Sequence, residues 1–415
     1  MSAPVQAQVG TELDTVSTNY GRYVSMILSP SAARGATGIE EAPLVAYENR
    51  SIGRQGLAVS RCFDPLCRSV DSATLDDRGS SNGAGIDSRI LRGADGHAII
   101  IHRRIGVGSA LRVVRCGVAN CLGSLGAADT INTITPDQGV AVSMDAAIGS
   151  DGFPVIAALL QSGGTDLGLW VIKCSDSVCS LPTTQTQIDP SRPLSGRVID
   201  MVIGASGFPQ IAFQDRENSG SNGQMAVLTC NDHACAGQDE ALSSLDDLGG
   251  GTGRIIDMKL NSSGHPVLAY TGLNSTLRVI RCDDPDCAGG NDLPNIVPTL
   301  GSITQAIAMD LDSQDRPAMA AQNTGLTPDG LEIIFCNDPS CSGGDERRVD
   351  VFQSDQQDIA LGAWVDAVFD PNDRLQIVYQ TVERANSTVF LGSLYQIRCE
   401  FDGCGLIFAD RFEAP

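Results

Sequence analysis

The chain has few cations. Of its 415 residues, 28 are Lys or Arg against 50 Asp or Glu, giving a formal net charge of −22. That balance argues against nucleic acid and against an anionic membrane surface as partners. Lysine occurs only at Lys173 and Lys259, and histidine only four times. No apolar run approaches the ~18 residues of a membrane helix, so nothing reads as a span. GxSxG, HExxH, P-loop and GxGxxG motifs are missing in the contexts that would give them meaning. His97 and His265 fall in short turns, His233 lies between two cysteines, and a lone base such as His102 makes no catalytic set. With 42% hydrophobic and 19% charged residues, the composition is that of a globular chain rather than a disordered one.

Cysteine is plentiful and ordered. The 14 cysteines form seven pairs with four residues between partners: Cys62/Cys67, Cys116/Cys121, Cys174/Cys179, Cys230/Cys235, Cys282/Cys287, Cys336/Cys341 and Cys399/Cys404. They recur about every 56 residues, which marks a repeat fold. The intervening segments include Phe63-Asp-Pro-Leu66, Asp283-Asp-Pro-Asp286 and Asn337-Asp-Pro-Ser340. Asp then Pro suits the first two positions of a type I turn, on which four-residue hairpin loops are commonly built. The cysteines then face each other across the hairpin mouth and can bond. Structural zinc fits less well, because it needs two pairs to converge, often with His, and these pairs stand far apart. Regular disulfides imply an oxidising compartment.

A second landmark precedes each pair. It reads Gly149-Ser-Asp-Gly-Phe-Pro154, Gly204-Ala-Ser-Gly-Phe-Pro209, Asn261-Ser-Ser-Gly-His-Pro266 and Asp312-Ser-Gln-Asp-Arg-Pro317, with weaker copies at Gly93–His97 and Asp370–Arg374. These are tight turns. Apolar runs of four to six residues flank them, as in Asp200-Met-Val-Ile203 and Val267-Leu-Ala-Tyr270, and further runs flank the cysteines, as in Leu277-Arg-Val-Ile-Arg281. Such runs read as strands, here named A to D within each unit. Four short antiparallel strands repeated seven times predict an all-β fold, a seven-bladed β-propeller with one local disulfide per blade.

The turn-Pro and strand pattern resembles the bacterial secreted propeller repeats of the form ALDSxGxPHIAY…LKYA, over almost the whole chain. The resemblance implies architecture and not activity. Leu406-Ile-Phe-Ala-Asp-Arg-Phe-Glu413 is similar to the IFADGFE tail of some secreted gammaproteobacterial proteins, with Arg411 in place of the usual Gly. Residues 1–404 therefore read as a single propeller and 405–415 as a tail. Residues 9–16 look like a D strand and are expected to close blade 7. Met1–Gln8 has no apolar signal core, yet Val5-Gln-Ala7 looks like the end of a cleaved signal, so the chain reads as a mature or trimmed secreted protein.

Strand order puts the A–B turns and the C–D hairpins on one face, and the variable B–C and D–A connections on the other. Binding residues are expected on the variable face. Two rings of residues map there. At the start of strand A stand Ser25, Arg89, Asp145, Asp200, Asp257, Ala308 and Asp366. These Asp residues either hold Ca²⁺, which takes six to eight oxygens, or accept hydrogen bonds from neighbouring backbone. At the end of strand B stand Tyr47, His102, Ala158, Phe213, Tyr270, Ala321 and Tyr379, which either contact a sugar or peptide ligand or pack between blades. The expected function is a non-enzymatic binding or structural module for a protein or carbohydrate ligand. The alternative is a carbohydrate-active hydrolase or lyase using paired Asp. Arg89, Arg103, Arg104 and Tyr270 share one face as in sialidases, but the turns lack the Thr-Trp ending of that family's repeat and seven units do not match its six blades.

Overall fold

The computed structural model describes residues 5–7, 11–14, 22–30, 41–49, 56–77, 83–106, 109–118, 121, 129–188, 198–215, 223–246, 253, 255–290, 292–324, 330–351, 359–384, 390–400 and 403–404, some of them as backbone alone. Short, β-branched strands punctuated by Gly and Asp turns form seven antiparallel sheets, each a meander. Blade 1 comprises Arg22–Pro30, Glu41–Asn49, Gly56–Cys62 and Val70–Asp77. Blade 2 comprises Gly83–Arg92, Ala98–Ile105, Ala110–Arg115 and Thr130–Ile134. Blade 3 comprises Val140–Ile148, Pro154–Ser162, Thr165–Lys173 and Thr184–Gln187. Blade 4 comprises Ile199–Ile203, Pro209–Asp215, Gln224–Thr229 and Ala241–Asp246. Blade 5 comprises Ile256–Leu260, Pro266–Thr271, Leu277–Arg281 and Asn295–Val297. Blade 6 comprises Ser302–Leu311, Pro317–Thr324, Gly330–Phe335 and Arg347–Val351. Blade 7 takes Ile359–Phe369, Leu375–Arg384 and Phe390–Glu400 from the end of the chain. The fold is thus the seven-bladed propeller that the cysteine spacing predicts. Among the described residues the only helical element is a 3-10 turn at Leu273–Ser275, and no helix is long and apolar enough to cross a membrane.

Strand A of each blade packs against strand A of the next, and Ile359–Phe369 of blade 7 meets Arg22–Pro30 of blade 1, so the ring closes around a central channel. The N-terminal strand Thr11–Asp14 lies antiparallel on Phe390–Glu400 as the outer strand of blade 7. A second N-terminal strand, Val5–Ala7, pairs parallel with Arg347–Val351 of blade 6, a contact that the repeat pattern does not announce. Residues 405–415 lie outside the described residues.

The core is distributed between blades. Each apolar cluster joins two neighbours, as Ile99, Ile101 and Val113 of blade 2 meet Met144, Ile156 and Trp170 of blade 3. The cluster that joins last to first sets Val378 and Leu394 against Met26, Tyr47 and Ala58. Burial of both faces of a blade explains why strand B reads as a continuous apolar run rather than an alternating one.

Six disulfides staple the C–D hairpins of blades 1 to 6 as paired in the sequence: Cys62–Cys67, Cys116–Cys121, Cys174–Cys179, Cys230–Cys235, Cys282–Cys287 and Cys336–Cys341. Cys399 is also disulfide-bonded and faces Cys404 across a short ladder, with the Cys404 side chain outside the described residues. In blade 1 the Cys67 N–H donates to the Asp64 carbonyl at 3.0 Å, closing the turn that Asp-Pro begins. The turn's Asp side chain adds its own bond, accepting from the Leu66 N–H at 2.9 Å, and Asp176, Asp232, Asp284 and Asp338 repeat this in later blades.

Candidate functional site

The start of strand A in every blade lines a cavity of about 300 Å³ at the D–A mouth of the channel. Its walls are mainly aliphatic, with Val24, Met144, Val198, Ile255 and Ile307 among them, and Trp364 stands at the same level. The polar lining is Asp87, Ser88, Arg89 and Ser143. Most B–C and D–A connections around this mouth lie outside the described residues, including 216–222, 325–329 and 385–389 of the variable loops.

Beneath the cavity the strand-A acids form a chain of blade-to-blade clasps. Asp145 of blade 3 accepts from the Met201 N–H of blade 4 at 2.7 Å. Asp200 accepts from the Met258 N–H at 2.5 Å, and Asp257 from the Met309 N–H at 2.6 Å. Asp366 of blade 7 accepts from the Met26 N–H of blade 1 at 2.6 Å, which carries the chain across the seam. Ser25 serves the same purpose toward the Ile90 N–H of blade 2 at 3.2 Å. In blade 6 the aligned position is Ala308, and Asp310, one pleat further on, accepts from the Phe369 N–H at 2.6 Å. Side chains two apart on a strand share a face, so the clasp moves along the channel without leaving it.

Two cations sit among these acids. Arg89 bonds Asp145 through Nε and Asp200 through Nη2, the latter at 3.2 Å. Lys259 Nζ lies 2.5 Å from Asp257 Oδ1. Burial, and then the surrounding carboxylates, would pull these groups in opposite directions, and the carboxylates win, so both cations stay charged. The acids diverge. Burial would raise Asp145, but Arg89 and the hydrogen bonds it receives hold it below the ordinary carboxylate range. Burial, with Asp145 and Asp257 nearby, pushes Asp200 well above that range. Burial pushes Asp366 up to about 6, and Asp310 also upward. Asp145 and Asp200 are thus displaced in opposite directions, and Asp200 is the one that keeps its proton to higher pH.

The strand-B ring is enclosed. Tyr47, His102 and Tyr270 have no exposed surface and Tyr379 is 1% exposed. The Tyr47 hydroxyl lies 3.0 Å from Ser60 Oγ, and Tyr379 stacks on Tyr395. His102 accepts from the Gly85 N–H at Nδ1, 2.9 Å away, and its Nε2 stands 3.2 Å from Asp76 Oδ2 of the preceding blade. Although burial alone would raise it, Asp76 is held low by His102, Arg112 and Arg104. Tyr270 donates to Asp246 of the preceding blade at 2.8 Å, and Arg278 pairs with the same carboxylate. Asp76 and Asp246 were not singled out by the sequence. The signal was present, since Leu75-Asp76 and Leu245-Asp246 close their D strands and Leu13-Asp14 recurs at the N-terminus.

No protein-family model matches the sequence, and a search of curated proteins finds no match. Among solved structures, the fold is similar to polysaccharide lyase Uly1, with TM-score 0.51 and 10% identity, covering 95% of this chain and 100% of that one. It is similar to an α-L-arabinanase of Penicillium chrysogenum complexed with arabinobiose, with TM-score 0.50 and 10% identity, covering 84% and 98%. A protein of unknown function from Dyadobacter fermentans matches with TM-score 0.50 and 13% identity, covering 74% and 93%. At these identities the likeness is one of fold alone.

Proposed function

We propose that the protein is a secreted, non-enzymatic binding module that takes part of a protein or glycan ligand into the D–A mouth of its channel. The observation that carries this reading is the position of Arg89. Its guanidinium lines the cavity and lies over Asp145 and Asp200, whose side chains are 3% and 7% exposed. A ligand entering the mouth meets aliphatic walls, Trp364 and the Arg89 cation, with the lining carboxylate of Asp87 paired to Arg103 at 2.6 Å and the carboxylates below engaged by backbone. An apolar group beside a negative charge fits that surface. The disulfides support secretion, because they persist in oxidising compartments. Anilinonaphthalene sulfonate combines an apolar ring system with an anion. It is expected to fluoresce on binding the native chain, and Ile255→Glu, which places a carboxylate in the wall, is expected to abolish the signal. Equal fluorescence in both proteins would remove the mouth as the site.

One observation favours a carbohydrate-active hydrolase or lyase instead. Asp145, held low, beside Asp200, pushed high, is the kind of split that acid–base catalysis uses, in a fold shared with a polysaccharide lyase and an arabinanase. Incubation with a panel of polysaccharides that includes arabinan decides between the two. The binding reading expects no new reducing ends or unsaturated products. Product release that disappears in Asp200→Asn would establish the enzyme.

A further inference from the structure

Blade 6 departs from its neighbours at one position of strand C, away from the channel. The residue paired with the strand-B ring there is Arg112 in blade 2 and Arg278 in blade 5, and each meets an acid of the preceding blade. In blade 6 the same position, opposite Ala321, is Glu332. Blade 5 faces this side of blade 6 with Leu277, Val279 and Val297. Glu332 has no exposed surface, and neither has Asn323 beside it. Glu332 Oε2 accepts from Asn323 Nδ2 at 2.8 Å and from the Leu300 N–H at 3.1 Å. Among the described residues, Glu332 Oε1 and Asn323 Oδ1 meet no donor. Two bare acceptors on one buried acid–amide pair are costly. One proton on Glu332 removes both faults, because a protonated carboxyl donates as well as accepts.

A second acid makes that proton matter to the outer edge of the blade. Asp350 stands directly opposite Glu332 on the outer strand Arg347–Val351 and is 3% exposed. Its Oδ1 also meets no donor. Arg348, two residues earlier on the same face, is the cation that acts on both acids. Burial raises the Glu332 carboxyl above its ordinary range despite the bonds from Leu300 and Asn323, and Asp350 adds to the rise. Burial raises Asp350 as well, with Arg348 opposing. With both acids ionised, like charges would stand opposite each other across the ladder, which weakens the pairing. The strand so weakened is also the seat of the N-terminal strand: Val5–Ala7 pairs with Val349–Val351, and Gln6 stands opposite Asp350.

We propose that Glu332 is protonated while the outer edge of blade 6 is seated, donating to Asn323 Oδ1, and that loss of this proton releases the edge together with Val5–Ala7. The device is a pH-dependent latch on the N-terminal strand. The seated state holds the proton more tightly than the open one, so the latch is closed at low pH and opens as pH rises through the ionisation of Glu332.

Amide hydrogen exchange of the full chain, in chelator, tests the latch. Glu332→Gln keeps a donor toward Asn323 at every pH. Comparing it with the parent at one pH cancels the intrinsic exchange rate. At pH 4.5 the two proteins are expected to protect residues 5–7 and 347–351 alike, within about twofold. At pH 8 these segments are expected to exchange on the order of tenfold faster in the parent. Asp350→Asn removes the opposing charge and is expected to slow exchange of 347–351 at pH 8. The proposal is overturned by equal exchange in the parent and Glu332→Gln at pH 8, or by a difference that is the same at both pH values. It is also overturned if Asp350→Asn exchanges no more slowly than the parent at pH 8. Millimolar Ca²⁺ that slows exchange in the parent at pH 8 but not in Glu332→Gln would overturn it too, by making a cation the partner of these acids. None of these outcomes depends on whether the mouth binds a ligand.

Discussion

In the channel, Asp145, Asp200, Asp257, Asp310 and Asp366 outnumber the two cations among them, Arg89 and Lys259, and burial raises the carboxyls of Asp200, Asp310 and Asp366. Asp366 shows the consequence. Its folded pKa of about 6 lies above the unfolded value of about 3.9, so the folded chain holds the proton more tightly. That contribution to stability is complete below about pH 4 and is lost as pH rises through 6. The gap corresponds to about 3 kcal/mol at most, and partial solvation of the channel reduces it to about 1–2 kcal/mol. Blade 1 already shows an uncharged clasp in Ser25, so Asp366→Ser keeps an acceptor for the Met26 N–H without the titration. Relative to the parent, this variant is expected to gain about 1–2 kcal/mol between pH 4.5 and 7.5, measured by urea unfolding at both values. A pH-independent difference would show that Asp366 does not titrate in this range. Ring membership was legible at this scale, because Asp recurs just before Met at 200 and 257, but which backbone each carboxylate reaches was not. That depends on the stagger between blades, and Asp310 shows how one pleat of slippage hides a clasp from alignment at Ala308.

The hairpin was legible as an element because its constraints are local: the Cys spacing, Asp before Pro, and the turn bond are all within six residues. Less legible is that the second cysteine adopts a left-handed backbone in the hairpins of blades 1 to 6, with φ of 51° at Cys67, 49° at Cys235 and 54° at Cys341. Non-Gly residues avoid this region unless the surroundings hold them there. Nor does spacing reveal that both cysteines enter the inter-blade core, as Cys230 and Cys235 do beside Leu228 and Ile211. The disulfide therefore fixes a turn and fills a packing site together. Closing a loop of about six residues contributes roughly 2 kcal/mol by chain entropy. Replacing Cys230 and Cys235 together by Ser also buries two hydroxyls, at 2% and 0% exposure, so a loss of about 2–4 kcal/mol is expected. Urea unfolding of the double variant checks it, and an unchanged midpoint would make the staple redundant with the turn. The D strands were the weakest elements in the sequence, being short and polar, and so Asp76 and Asp246 escaped notice although they tie blade 1 to blade 2 and blade 4 to blade 5.

For the whole molecule the seam between blades 7 and 1 is where closure is decided, since every other interface joins units adjacent in sequence. Thr11–Asp14 supplies the fourth strand of blade 7, and its register is telling. Asp14 stands opposite Leu394, as Asp76 stands opposite Leu57 and Asp246 opposite Met225, each beside a shift in register. The N-terminal strand therefore occupies the full D-strand position rather than merely covering an edge. Val5–Ala7 continues onto blade 6, so one segment spans the outer edges of the last two blades. Deleting residues 1–16 leaves the ladder of Phe390–Glu400 open, and an open edge invites pairing with another chain. The truncated protein is expected to melt well below the full chain and to aggregate at concentrations where the parent, kept apart by its net charge of −22, stays monodisperse. A synthetic peptide of residues 1–16 added in excess should restore the melting temperature, because a strand that binds only the folded propeller stabilises it by mass action. Scanning calorimetry and light scattering on the truncated chain, with and without the peptide, decide the matter. An unchanged melting temperature after truncation would assign closure to another segment, with Leu406–Phe408 next in line.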